Sequence, residues 1–373
     1  MLPSSLPQRK LCHSLEKLKH KQMVNMSSKV KKRHANIPIF IPHEGCPNSC
    51  VFCNQKKISG SSGKSYRDIS GEIEAALSTI NPAEYDQVQI AFFGGSFTGI
   101  CRDDMVALLK TAYCYVQDGR VSSIRLSTRP DYIDREILEI LSQYGVKDIE
   151  LGIQSMRDSV LNACKRNHTA KQTQKACRLI NAYGFRLTGQ MMTGLPCSTA
   201  KDERYTAKKI VKMGAVSARI YPTVVLADTQ LHAMMNEGTY TPMSLDETIS
   251  RSADVYEIFI DGNVKVLRVG LQSSETIRDT SQAFGETSHS ALGEMCESEV
   301  YLRRILKQLK KTSKRQAIRQ IIIECALGET SKASGHHATN KQKIKEYINN
   351  PKCKIVIKEN EKLEKFQTNM HLL

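Results

Sequence analysis

Between residues 36 and 223 short apolar runs alternate with helical stretches, and that rhythm narrows the fold more than any other feature of the chain. IPIFIP (37–42), VQIAFFGG (88–95), SIRLST (123–128), VKDIELGIQS (146–155), the start of FRLTGQMMTGLP (185–196) and AVSARIYPT (215–223) read as strands. Between them, SGEIEAALSTI (70–80, with Ser70 as its cap), DDMVALLKTAYCYV (103–116), DREILEILSQYG (134–145), TAKQTQKACRLINAYG (169–184) and AKDERYTAKKIVKMG (200–214) read as helices. VKVLRVGL (264–271) offers one strand more. Strands this continuously apolar are covered on both faces, which predicts an α/β fold with a parallel sheet wrapped by helices. Such layers collect their chemistry in the loops beyond the carboxyl ends of the strands. The unusual motifs fall there: a cysteine cluster, Gly94–Gly95, Arg129–Pro130–Asp131, Gln154–Ser155 and Gly194–Leu195–Pro196. One shared site is the expectation.

Charge divides the chain. The net +16 is carried by residues 1–35, at +8, and residues 301–373, at +11, around a middle at −3. This predicts a basic, poorly ordered N-terminal extension (1–35), a core (36–300) and a basic C-terminal domain (301–373). Basic flanks around a neutral body suit a polyanion held at the periphery, and solvated tails are the alternative. Met26 is a second candidate start. No run of 18 apolar residues occurs, and the N-terminus lacks the apolar core of a signal peptide, so neither membrane insertion nor secretion is expected. An organellar address is the alternative to a cytoplasmic one. The twelve cysteines follow no secreted disulfide pattern, and most read as small buried hydrophobes in a reducing compartment.

One cysteine cluster is tight: Cys46, Cys50 and Cys53, in His43–Glu44–Gly45–Cys46–Pro47–Asn48–Ser49–Cys50–Val51–Phe52–Cys53. Spaced by three and two residues, three thiolates can curl around one face of a 4Fe-4S cubane and leave one iron without a protein ligand. Zinc, with His43 as fourth ligand, and simple packing are the rival readings. A structural zinc asks for four ligands, and no second paired-Cys element lies near.

From about residue 37 to 295 the chain resembles the radical S-adenosylmethionine (SAM) superfamily. The resemblance implies an incomplete (β/α)6 barrel, a TIM-like half, in which SAM chelates the open iron and is cleaved reductively to a 5′-deoxyadenosyl radical. It also implies a reductant such as flavodoxin or ferredoxin. Phe93–Gly94–Gly95–Ser96–Phe97–Thr98 stands where the family's Gly-Gly motif receives the methionine amino group, with Ser96 replacing the usual acid. Ser127–Thr128–Arg129–Pro130–Asp131–Tyr132, Glu150–Leu151–Gly152–Ile153–Gln154–Ser155, Arg166–Asn167–His168–Thr169 and Gly189–Gln190–Met191–Met192–Thr193–Gly194–Leu195–Pro196 look like the radical SAM domain of Elongator's catalytic subunit. Oxygen-independent coproporphyrinogen oxidase shares part of the pattern, and by that likeness Ser127, Gln154, Arg166 and Gln190 contact SAM. Two departures matter. The first cysteine gap is shorter than in the Elongator subunit, and with so few residues after Gln272 neither its acetyltransferase domain nor an acetyl-CoA-dependent product is expected.

Beyond residue 300, Arg319–Cys325 and Lys354–Lys358 read as strands, and Glu329–Ser334 and Thr339–Ile348 as helices separated by Gly335–His336–His337–Ala338. This order resembles a KH-type RNA-binding module, with Ala338 in place of the second loop glycine. The expectation is therefore a radical SAM enzyme with a KH-like α+β appendage, acting on RNA and foremost on tRNA. The alternatives are a radical SAM enzyme for a small molecule such as a tetrapyrrole, and a non-catalytic RNA-binding iron–sulfur protein.

Overall fold

Side chains alternate between the two faces of the first strands, and each face has its own neighbour. In β1 (His34–Ile41), Ile37, Ile39 and Ile41 are buried in the main core, and Val88, Ile90 and Phe92 of β2 (Gln87–Gly94) do the same. These side chains meet the helices outside the sheet. The intervening Asn36, Pro38 and Phe40 face the other way and line a cavity. The computed structural model describes residues 33–41, 46, 50–54, 68–271, 279, 281–313 and 315–373. The basic extension therefore lies almost wholly outside the described residues, as does His43.

After β2 come β3 (Ser123–Thr128), β4 (Val146–Gln154), β5 (Arg186–Thr193), β6 (Ser217–Pro222), β7 (Val225–Leu226) and β8 (Lys265–Val269). β1 to β6 and then β8 form one seven-stranded parallel sheet in that order. The first and last strands are its two edges, so the sheet curls into a half-barrel that stays open. β8 settles the optional strand at 264–271 and makes the sheet seven-stranded instead of six. β7 stands apart and pairs antiparallel with β9 (Ala283–Phe284).

The crossover helices are α1 (Ser70–Ser78), α2 (Arg102–Gln117), α3 (Arg135–Gln143), α4 (Asp158–Ala163), α5 (Ala170–Ala182), α6 (Ala200–Lys212), α7 (Gln230–Asn236) and α8 (Leu245–Asp261). Capping explains several starts. Thr169 with Gln172, and Thr199 with Asp202, form capping boxes, and Asp134 accepts the Ile137 N–H. Ser70, expected as a cap, is instead the first helical residue, and Asp68 accepts its N–H at 3.1 Å.

The floor of the half-barrel is a polar lattice. Gln89 donates to Ser123 and to Asp148, both at 2.7 Å, and Arg186 grips Asp148 through Nε and Nη2 at 2.8 and 2.6 Å. Each partner satisfies another, which is what burial of such groups demands.

Helix α9 (Leu292–Leu309) runs straight through the 300/301 boundary expected from charge. Val300 and Tyr301 join the main core, while Leu302, Ile305 and Leu309 pack into a second one. That second core belongs to a small α+β appendage: β10 (Gln320–Cys325), α10 (Thr330–Ser334), α11 (Thr339–Ile348) and β11 (Lys354–Glu359), with β11 parallel to β10. A further strand, β12 (Thr368–Leu372), went unread in the sequence and pairs antiparallel on the other side of β10. Phe366 ties the appendage down. Its ring lies 5.2 Å from both Tyr256 and Tyr301, and its N–H donates to the Tyr301 hydroxyl at 2.9 Å.

Candidate functional site

The cysteine loop is held by its neighbours in the chain fold. Cys53 N–H donates to the Cys50 carbonyl at 3.0 Å, closing a tight turn. Between them Val51 donates its N–H to the Cys164 carbonyl at 3.2 Å and accepts from Leu231 N–H at 2.8 Å. Its side chain sits in a small apolar cluster with Val160, Leu195 and Tyr240. Cys50 is buried, and Cys46 and Cys53 are half-buried. Burial pushes the Cys46 thiol up, while the Ser96 backbone N–H and the guanidinium groups of Arg166 and Arg129 pull the other way.

Gly94 ends β2 at φ +105°, a conformation that L side chains rarely adopt. A Cβ there would stand 2.4 Å from the Phe40 ring and 2.6 Å from the Ile41 carbonyl oxygen. Gly95 donates its N–H to that same oxygen at 2.9 Å. Ser96, at the family's acidic position, bonds across to the next strand. Its hydroxyl lies 3.1 Å from that of Thr128 and accepts the Arg129 N–H at 3.0 Å.

At the end of β4 the ladder slips between Gly152 and Gln154, and Gln154 takes φ 62°. Arg166 fills the space over Gly152. Its Nη2 donates to the Gly152 carbonyl at 2.9 Å and its Nη1 to Cys50 Sγ at 3.4 Å. A Cβ on Gly152 would meet Nη2 at 2.8 Å. The backbone presenting this arginine is itself unusual, with Lys165 at φ 52° and Asn167 at φ 55°. Arg129 braces it from behind, donating from Nη2 to the Arg166 carbonyl at 2.6 Å while pairing with Asp131. Below, burial and then the Arg166 charge push His168 down to about 4, so its ring is neutral.

All ten residues singled out from the sequence line one cavity of about 710 Å³: Cys46, Cys50, Cys53, Gly94, Gly95, Ser96, Ser127, Gln154, Arg166 and Gln190. That volume suits a cofactor or drug-sized ligand. The cavity also takes in Asn36, Arg129, Glu150, Arg219, Tyr221 and Arg268, none of which the sequence reading assigned to the site. Glu150 and Arg219 pair at 2.9 Å, with Arg219 also donating to the Tyr221 hydroxyl at 3.4 Å. Polar residues at period two inside otherwise apolar strands were the available signal.

The cavity wall carries buried polar atoms without a protein partner: Gln154 Oε1, Arg129 Nη1, Arg166 Nε and Asn36 Oδ1. Buried groups of this kind are ordinarily paired, so two cationic donors and two amide acceptors are left over for a polar ligand that carries both kinds of group. Among the described residues no three His, Cys, Asp or Glu side chains close on one point as ligands of a single ion would. A cubane asks less, because each thiolate takes a different iron. The donor set and the leftover polar atoms thus fit an iron–sulfur cluster with an amino-acid-like cosubstrate beside it. The loop that follows β5 is braced outside the cavity lining. Glu203 accepts the Gly194 N–H at 2.6 Å and pairs with Arg251, and Tyr240 donates to the Gly194 carbonyl at 2.7 Å.

No helix among the described residues is long and apolar enough to cross a membrane. Comparison with known proteins gives a consistent picture. The Radical SAM superfamily matches residues 40–210, and the Radical_SAM C-terminal domain matches residues 216–304. An uncharacterized protein of Methanocaldococcus jannaschii is 26% identical over 244 residues, covering 63% of this chain and 74% of that protein. The tRNA uridine(34) acetyltransferase of the same organism is 30% identical over 135 residues, 35% of this chain and only 25% of the relative. The solved archaeal Methanocaldococcus infernus Elp3 with an N-terminal deletion superposes with a TM-score of 0.56 at 19% identity, over 76% of this chain and 65% of that one, a likeness of fold. This chain therefore spans about a quarter of the length of the acetyltransferase it matches. With its half-barrel, and with both family regions matched over most of residues 40–304, the chain belongs to the radical SAM superfamily of enzymes.

Proposed function

We propose that Cys46, Cys50 and Cys53 hold a 4Fe-4S cluster, that Gly94, Gly95, Ser96, Ser127, Gln154, Arg166 and Gln190 surround SAM, and that the substrate is RNA, foremost tRNA. When bound, the cluster and SAM supply the reductive cleavage that yields methionine and a hydrogen-abstracting 5′-deoxyadenosyl radical. The observation carrying this reading is convergence: ten residues from the cysteine loop, from strands β2 to β5 and from the segments that follow β2 and α4 line one cavity. The protein's own work is positional. Gly94 lets the β2 end press against β1, and Ser96 locks the end of β3. Gln154 and Arg166 offer an acceptor and a cation to a ligand's amino and carboxylate groups. The Glu150–Arg219 pair and Tyr221 give the far wall a polar surface for substrate.

The RNA assignment rests on the net +11 of residues 301–373, on the strand–helix–helix–strand order there and on the relatives named for tRNA uridine(34). A cytoplasmic setting, with a low-potential donor of the flavodoxin or ferredoxin kind, suits thiolate ligands that must stay reduced. Anaerobic reconstitution with iron, sulfide, SAM and dithionite is expected to yield 5′-deoxyadenosine, and Cys50→Ala to yield none. Protein that binds no iron, or makes no deoxyadenosine, would rule the reading out. For the substrate, tRNA from cells lacking the gene should lose a modified nucleoside, and an unchanged profile points to a small molecule instead. RNA affinity should fall steeply with salt and weaken in Lys341→Glu/Lys345→Glu. Deleting 301–373 is a poor test, because Tyr301 and Phe366 belong to the main core.

A further inference from the structure

Arg166 is a buried cation, 7% exposed, and among the described residues no carboxylate stands in ion-pair contact with it. Arg129 beside it has Asp131. An uncompensated buried guanidinium is costly, and the contact that resembles a counter-ion is Cys50 Sγ at 3.4 Å. The arrangement is built to keep that contact. Gly152 is bare where the guanidinium lies, Arg129 holds the Arg166 carbonyl, and Val51 bonds the cysteine loop to Cys164, two residues before Arg166.

We propose that Arg166 sets the reduction potential of the cluster through its bond to Cys50, independently of any contact with SAM. This inference rests on the cluster assignment above. Three thiolates and a 4Fe-4S core carry one net negative charge when oxidised and two after taking up one electron. A fixed cation and a hydrogen bond at one sulfur stabilise the second state more than the first, and so raise the potential. The residue would thereby make the cluster easier for a low-potential donor to reduce before SAM arrives.

The test is a redox titration of the reconstituted, SAM-free holoprotein with dithionite, followed by electron paramagnetic resonance, with iron and sulfide counted in the same samples. Arg166→Gln is expected to lower the midpoint potential by the equivalent of at least a tenfold loss in the reduction equilibrium, about 59 mV for one electron. Arg166→Lys, which keeps charge but not the forked geometry, should fall between. A fully loaded Arg166→Gln protein with the wild-type potential overturns the proposal. Should that variant fail to load, Gly152→Ala decides: its Cβ, 2.8 Å from Nη2, displaces the guanidinium while retaining its charge. A lowered potential then supports the proposal, and an unchanged one overturns it. Wild-type protein without four irons, or without a reducible signal, instead defeats the cluster assignment.

Discussion

Replacing Glu203 by Ala is expected to destabilise the fold by about 3–5 kcal/mol, the range for breaking one side of a buried ion pair. The Glu203 side chain is 2% exposed and that of Arg251 14%, so neither partner can turn to water instead. Glu203 accepts from the Gly194 N–H at 2.6 Å and from Arg251 Nε at 2.9 Å. Without it the Gly194 N–H is left unsatisfied, which by itself costs about 1–3 kcal/mol. Arg251 is not wholly abandoned, because Glu247 at 2.8 Å and the Ser198 carbonyl at 3.3 Å remain. That residue of partnership keeps the sum inside the ion-pair range. Glu203→Gln preserves an acceptor for Gly194 and should cost roughly half as much. Because the chain has no tryptophan, urea denaturation followed by far-ultraviolet circular dichroism is the natural assay, with stability extrapolated linearly to water. A Glu203→Ala protein within about 1 kcal/mol of wild type would refute the argument that this pair braces the Gly194–Ser198 loop.

Gly94→Ala should lose at least about 3 kcal/mol, since it adds backbone strain to a 2.6 Å approach to the Ile41 carbonyl, and its iron loading should fall; near-normal stability would contradict the packing described. Phe366→Ala should cost about 3–5 kcal/mol in the same urea assay, as it empties the space between Tyr256 and Tyr301, whereas a loss below about 1 kcal/mol would mean the appendage is not locked to the barrel. Asp148 supplies a pH signature. Burial pushes its carboxyl up, but bonds from Arg186 and Gln89 outweigh that and hold it below its ordinary value. A carboxylate held low stabilises the fold above its unfolded pKa of about 3.9, and that contribution disappears as pH falls through the folded value. The stability gap between wild type and Asp148→Asn should therefore be widest near neutrality and shrink below about pH 4, and a gap constant across that range would speak against it.

Much of the barrel was legible because its strands are apolar on the helix-facing side and its helices carry caps that can be spelled from residues, such as Thr169 with Gln172. Gly94 was readable for a different reason, since a strand end at φ +105° pressed against the Ile41 carbonyl tolerates few other residue types. Less visible were features made by pairing across strands. Glu150 and Arg219 lie 69 residues apart, and only the sheet order brings them together. Ser96 could not reveal from sequence that it would fasten Thr128 and Arg129 in place of the family's acid. The boundary drawn at residue 300 followed a change in charge, a surface property, whereas α9 answers to two apolar cores and ignores it. β12 is short and half-polar, and its partner strand is needed to make it a strand at all.

The lodging of Phe366 against Tyr256 has a bearing on how the protein is made. Roughly a hundred residues separate the two rings, so a nascent chain exposes the tyrosine long before its cover is translated. The barrel must wait, sticky on one side, until the appendage clears the ribosome and closes over it. Premature termination anywhere in the appendage would therefore yield an adhesive barrel, a target for chaperones and proteases, instead of a smaller working enzyme.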